Sequence, residues 1–267
     1  LTLNANLERA DGNWPQGPVL LMTHGTLAHN RMEIMATLQT LFAERGLSSL
    51  AISLSLGLDD RAGMYDCATP HRHRHADALG EIGAWLKWLK EQGAERVALL
   101  GHSRGGSQTA RFAADTNDPA VTAVILIAPQ VWADGYAAAD YQKRYETDLA
   151  PLLAQAQAKV DAGEPDAMLG PIDFLYCEDT QASASAFVSY HSDDSRMDSP
   201  SLIPGIQAPV LVIAGSADTV VEGLVEKTEA LADGKRVQLV VIDGADHFFR
   251  DLYAEEIADA VEELLAD

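Results

Sequence analysis

Six short runs of almost unbroken apolar residues, separated by stretches with helical spacing, constrain this chain more than any other feature. They are PVLLMTH (18–24), LSSLAIS (47–53), RVALLGH (96–102), VTAVILIAP (121–129), APVLVIAG (208–215) and RVQLVVID (236–243). A strand that is apolar on both faces must be covered on both sides, and a parallel sheet with crossover helices on its two faces does this. The intervening patterns predict helices near 30–45, 70–91, 104–115, 220–232 and 250–265. In the second of these, Thr69 reads as the N-cap and Pro70 as the first helical residue. Leu79, Ile82, Leu86 and Leu89 then share one face, and Gly93 marks the exit. The alternating opening LTLNANLER predicts an antiparallel edge strand followed by a Gly/Pro-rich turn. The expected fold class is therefore α/β, with a mostly parallel twisted sheet and helices on both faces.

One stretch breaks the rhythm. About eighty residues separate the strand ending at Pro129 from the one starting at Ala208, too long for a structureless loop. YAAADYQKRYETDLA and PLLAQAQAKVDAG have helical composition, with Pro151 opening a new helix and Gly163 closing it. The organisation expected is a core of 1–129 and 209–267 with a helical cap, 130–208, inserted at the C-terminal edge of the sheet. Ligands of open α/β folds bind at that edge.

The third apolar run ends in GHSRG, Gly101 to Gly105, between a predicted strand and a predicted helix. A sharp strand-to-helix turn forces its central residue into an unusual backbone conformation, and flanking glycines relieve the crowding that any Cβ would cause. Ser103 would then stand out at the tip of the sheet. The five letters alone are weak evidence, and the other reading is an ordinary turn serine.

A serine hydroxyl is a poor nucleophile near neutral pH and needs a base within reach, itself oriented by a third group. VLVIAGSADTVV places Asp218 just past one strand end, and LVVIDGADHFF places His247 just past the next. Both would project onto the edge that carries Ser103. Asp243 and Asp246 also lie near the histidine, and either could orient it in place of Asp218. Attack on a carbonyl creates an oxyanion that backbone N–H groups stabilise well. The loop THGTL after the first run and the residue after Ser103 supply candidates, the N–H groups of Thr26 and Arg104. The ring of His24 is expected to hydrogen-bond loop backbone.

Taken together, THGT, GHSRGG, SLIPGIQAPVLVIAGSAD and DGADHFF resemble the α/β-hydrolase superfamily, in particular its dienelactone-hydrolase-like and carboxylesterase-like branches. The resemblance spans nearly the whole chain and is weakest over 130–195. It implies a sheet of about eight strands, a site that needs no cofactor and a cap that shapes the substrate pocket. The expected activity is hydrolysis of a small to medium carboxylic ester through an acyl-enzyme. An amide or carbon–carbon bond as substrate, or a catalytically inert binding module, are the alternatives. HGTL carries one glycine where many lipases have HGGG, which argues against lipase-type action on bulky alcohols.

The remaining residues narrow the partners. Forty acidic against nineteen basic residues give a formal charge of −21, which repels a phosphate backbone, so nucleic acid is not an expected partner. No run of eighteen apolar residues is present, so no membrane span is expected; oligomeric state is open. The start at Leu1 and not at methionine suggests that a leader or some other segment has been removed, and a soluble protein, cytoplasmic or exported, is expected. Cys67 and Cys177 are the only cysteines, and a single bridge and two buried thiols are both open. His71, His73 and His75 in PHRHRH invite a metal site. In a helix only the first and third would share a face, and no third ligand is nearby, so packing and polar contacts beneath the site are expected instead. Candidate pocket residues are His24, Tyr65 or Asp66, Trp132 and Tyr190, with Phe187 and His191 as further wall or cap core. Arg104 is a candidate reader of a substrate carboxylate, or a partner for carboxylates of the cap.

Overall fold

A computed structural model describes residues 1–10 and 14–266. Its main sheet has seven strands: β1 (Asn4–Glu8), β2 (Val19–Thr23), β3 (Ser48–Ser53), β4 (Val97–His102), β5 (Val121–Ile127), β8 (Val210–Gly215) and β9 (Val237–Ile242). The order is β1-β3-β2-β4-β5-β8-β9, with β1 antiparallel to β3 and all other neighbours parallel. All six apolar runs and the alternating N-terminal segment are strands. The sheet is one strand short of the eight that the family resemblance implies, because β1 alone forms upstream of β2 among the described residues.

The continuous apolarity is explained by two cores, one on each face. Successive residues of a strand point to opposite sides. Thus Leu21, Leu50, Ile52, Leu99 and Val124 pack with α2 (Asp77–Glu91) and α3 (Arg104–Thr116). Their neighbours Leu20, Met22, Ala51, Leu100 and Ile125 pack with α1 (Glu33–Glu44) and the C-terminal helix α9 (Tyr253–Ala266).

Helix α2 begins at Asp77, seven residues later than the Thr69-Pro70 signal predicts. The reason is tertiary. His71 N–H donates to the Gln181 carbonyl and the His71 carbonyl accepts from Ser183 N–H, both at 2.8 Å, so this segment is held extended. The helix predicted over 220–232 is likewise confined to α8 (Leu224–Glu229), after Gly223 in the left-handed region.

Between β5 and β8 the chain forms α4 (Tyr136–Tyr145), α5 (Leu149–Asp161), α6 (Ala184–His191) and the short α7 (Ser199–Leu202). It also forms an antiparallel hairpin, β6 (Met168–Phe174) with β7 (Cys177–Ser183), within the segment expected to be a helical cap. The register shifts between Leu169 and Ile172, across Gly170-Pro171, and that irregularity erases the period-2 pattern by which a strand is read. The inserted segment has its own core, in which Tyr141, Leu149, Phe174, Phe187 and Tyr190 meet Leu27 and Tyr65 from the sheet's loops. Cys67 and Cys177 form a disulfide that ties the loop before α2 to the hairpin. Among the described residues no helix is long and apolar enough to cross a membrane.

Candidate active site

Ser103 is the single residue between β4 and α3, and its φ of 57° and ψ of −126° lie where a side chain is strained. Two glycines make the turn sterically feasible. A Cβ on Gly101 would lie 2.5 Å from the Gly105 carbonyl oxygen, and one on Gly105 would overlap the backbone carbonyl of His24. Ser103 N–H donates to the Ile127 carbonyl at 2.9 Å, which fastens the turn to β5.

Asp218 and His247 arrive on the loops after β8 and β9. These loops are tied together where Ala217 N–H donates to the Ala245 carbonyl at 3.0 Å. The carboxylate of Asp218 accepts from His247 Nδ1 at 2.8 Å, so Nδ1 carries the proton. The free lone pair of His247 Nε2 faces Ser103 Oγ at 2.9 Å. Both side chains of this hydrogen-bonded pair are almost fully buried, at 6% and 5% exposure. Burial pushes the Asp218 carboxyl up. The hydrogen bond and charge of His247 and the N–H groups of Val220 and Val221 outweigh it and hold the group below the ordinary carboxylate range. The two other nearby acids face elsewhere. Asp243 accepts from Ser216 Oγ, and Asp246 caps the N–H of Phe248.

His102, which the sequence motif does not single out, supports His247 from below. Its Nε2 donates to the His247 carbonyl at 2.8 Å and its ring lies 5.0 Å from the His247 ring. Burial first, and then the neighbouring His247, push His102 down to about 4, so the ring stays neutral near pH 7.

A cavity of about 370 Å³ opens above Ser103. Its floor includes Thr26 and Arg104, the two residues read as oxyanion donors. As the first residue of α3, Arg104 has no intrahelical acceptor for its N–H. The side chains of the pair are linked, because Arg104 Nε donates to Thr26 Oγ1 at 2.9 Å. The walls come from the inserted segment and include Trp132, Tyr190 and His191. They also include Tyr136, Asp140, Tyr141, Arg144 and Tyr145 of α4, which were not anticipated. Their recurrence at three and four residues marks one helix face, and that is the signal by which they can be found.

Three sequence expectations change. His24 does not line the cavity. It is buried, its Nδ1 donates to the Gly25 carbonyl at 2.8 Å, and its Nε2 accepts from Leu54 N–H and Arg61 Nη2. Burial, then the Arg61 charge, push it down to about 3. Tyr65 is also absent from the cavity, being stacked on His71 with ring centroids 4.5 Å apart. Asp66 is exposed and accepts from Ala68 N–H. Phe187 belongs to the core of the inserted segment. His71, His73 and His75 are buried behind Tyr190, with His73 Nδ1 at 2.8 Å from the Tyr190 hydroxyl. Among the described residues no group of three or more His, Cys, Asp or Glu could hold a metal ion.

Residues 19–260 match the model of a family described as the alpha/beta hydrolase family. No functionally curated protein matches the chain. Among solved structures it is similar to Est1E from Butyrivibrio proteoclasticus with ferulic acid bound, at TM-score 0.69 and 21% identity, covering 99% of this chain and 94% of that one. A monoacylglycerol lipase from Paleococcus ferrophilus is similar at TM-score 0.67 and 21% identity, with 100% and 99% covered. The alpha/beta hydrolase GrgF from Penicillium follows at TM-score 0.68 and 18% identity, covering 98% and 93%.

Proposed function

Because this chain belongs to the alpha/beta hydrolase family, we propose that it hydrolyses carboxylic esters with Ser103 as nucleophile, His247 as general base and Asp218 as the group that orients it. The observation that carries the reading is the continuous pair of contacts from Asp218 through His247 to Ser103, at 2.8 and 2.9 Å. In this mechanism Ser103 Oγ attacks the acyl carbon as its proton passes to His247 Nε2. Asp218 stabilises the imidazolium. The N–H groups of Thr26 and Arg104 hold the oxyanion. The imidazolium then protonates the leaving alcohol. Water, deprotonated by the same nitrogen, releases the acid and restores Ser103. Residues 130–208 act as the cap that encloses the substrate over this site.

The similar structures named as esterase-like and lipase proteins support an ester in preference to an amide. The test is Ser103→Ala assayed on 4-nitrophenyl acetate and butyrate, with fluorophosphonate labelling of the wild type in parallel. Loss of about 10⁴ to 10⁶ in kcat is expected for removal of such a nucleophile. Retention of most of the rate, or a wild type that the probe does not label, refutes the reading.

A further inference from the structure

The chain carries forty acidic and nineteen basic residues, yet the ionisable lining of its cavity is cationic. Arg104, Lys143 and Arg144 face it against a single carboxylate, Asp140. Two of the three cations are already occupied. Arg144 pairs with Asp140 at 3.0 Å, and Lys143 lies 3.8 Å from Glu222. Arg104 makes no ion pair among the described residues.

The guanidinium of Arg104 is nonetheless held in place. Nε donates to Thr26 Oγ1, and the group lies 5.2 Å from the centroid of the Tyr190 ring. Tyr190 is itself fixed through its hydroxyl by His73. Among the described residues neither outer nitrogen of the fork, Nη1 or Nη2, meets an acceptor, and Nη1 is buried. An arginine cannot lose its charge to relieve such a position, and a desolvated donor without an acceptor is costly.

Two more groups on the same cavity wall are in this condition. Gln130 is 7% exposed and neither atom of its amide has a partner among the described residues; Trp132 is 4% exposed and its indole N–H has none among them. The unpartnered atoms gathered here, a guanidinium nitrogen, an amide and an indole N–H, are mostly donors, which favours a ligand rich in acceptors. Charge selects among such ligands, and a planar carboxylate matches the guanidinium fork.

We propose that the cavity takes esters bearing a second, free carboxylate, seated against Arg104 with Gln130 and Trp132 as further donors. This rests on the esterase reading and names its substrate class. Arg104 is thus a specificity-determining residue whose side chain reads the substrate while its backbone N–H serves the oxyanion.

The experiment compares matched esters in a pH-stat at pH 7.5. Monomethyl adipate is set against dimethyl adipate, allowing for the two equivalent esters of the latter, and 4-acetoxybenzoate against 4-methylphenyl acetate. The first pair places the carboxylate on the acid side, the second on the alcohol side. Wild type is expected to favour the anionic member of at least one pair by about ten- to a hundredfold in kcat/KM, the range of a charge-assisted hydrogen bond. That ratio should collapse towards one in Arg104→Met and fall partway in Arg104→Lys, which keeps charge but loses the fork. Thr26→Val, which only frees the Nε anchor, should lower it also and covers the case in which Arg104→Met does not fold. A ratio at or below one for both pairs, with the neutral esters hydrolysed, overturns this proposal and leaves the esterase reading intact. A preference that survives every Arg104 variant also overturns it. If neither pair is hydrolysed and the fluorophosphonate fails to label, the esterase reading itself falls.

Discussion

Acidification from pH 7.5 to 5.5 should remove most of the stability of this fold, because six of its eight histidines are buried as neutral rings. Burial pushes His24 and His73 down to about 3 and His71, His102 and His191 to about 4, and it drives His75 well below its ordinary value. In the unfolded chain each titrates near 6.5. The unfolded state therefore binds more protons below that value, and stability is fully present above it and lost as pH falls towards 4. For a ring that stays neutral when folded, the loss between pH 7.5 and 5.5 is RT ln of the ratio of the unfolded binding terms, about 1.4 kcal/mol each and about 8 kcal/mol for six. Half of that would still rival the usual net stability of a domain, about 5–15 kcal/mol. One group opposes the trend. Burial raises Glu81 despite its bonds from Ser55, so its protonation on acidification is favourable to the fold, but it is one group against six. Urea unfolding followed by tryptophan fluorescence at pH 7.5, 6.5 and 5.5 measures the effect as a falling midpoint at constant m-value. His75→Met attributes it, since neither ring nitrogen of His75 has a hydrogen-bond partner among the described residues. The variant should shrink the pH-dependent loss by about 1.4 kcal/mol, one proton's share. A midpoint that is flat across the three pH values would refute the argument.

Three other perturbations test separate parts of the molecule. Replacing both Cys67 and Cys177 by serine removes a link across 110 residues and should cost about 3–5 kcal/mol in urea unfolding; an unchanged midpoint would mean that the link constrains nothing. Asp218→Asn leaves the shape of the site but favours the wrong imidazole tautomer, so kcat on 4-nitrophenyl acetate should drop by about 10⁴. His102→Ala should lower kcat by about 10²-fold with little change in KM, by releasing the His247 loop, and His102→Gln should recover part of it by donating to the same carbonyl. Equal kcat in the alanine and glutamine variants would remove His102 as a positioning residue.

The core was legible because its information is local. A doubly buried strand announces itself by continuous apolarity, and the turn at Ser103 by the glycines its backbone needs. Asp218 and His247 could be read as converging because both follow strands whose ends share one edge of the sheet. His102 lies within the GHSRG motif, but its role is not legible there. Strand and turn signals say nothing about which ring nitrogen meets a distant carbonyl. The start of α2 misled for a related reason. Thr69 and Pro70 are sound local signals for a helix, and they were overridden by backbone pairing of His71 with a hairpin more than a hundred residues away.

The inserted segment shows what such long-range pairing does to the site. On one side of the cavity it is fastened by the Cys67–Cys177 disulfide and by the extended backbone of His71 against Gln181 and Ser183. On the other, Lys227 Nζ donates at 2.9 Å to both the Trp132 carbonyl and the carboxylate of Asp198, which also accepts from Trp132 N–H. Trp132 hangs from the second set of ties and Tyr190, through His73, from the segment held by the first. Two walls of the cavity that Arg104 lines are therefore positioned by residues remote from it in sequence. A change at Lys227 or Cys67 would reach the cavity without replacing any residue that lines it.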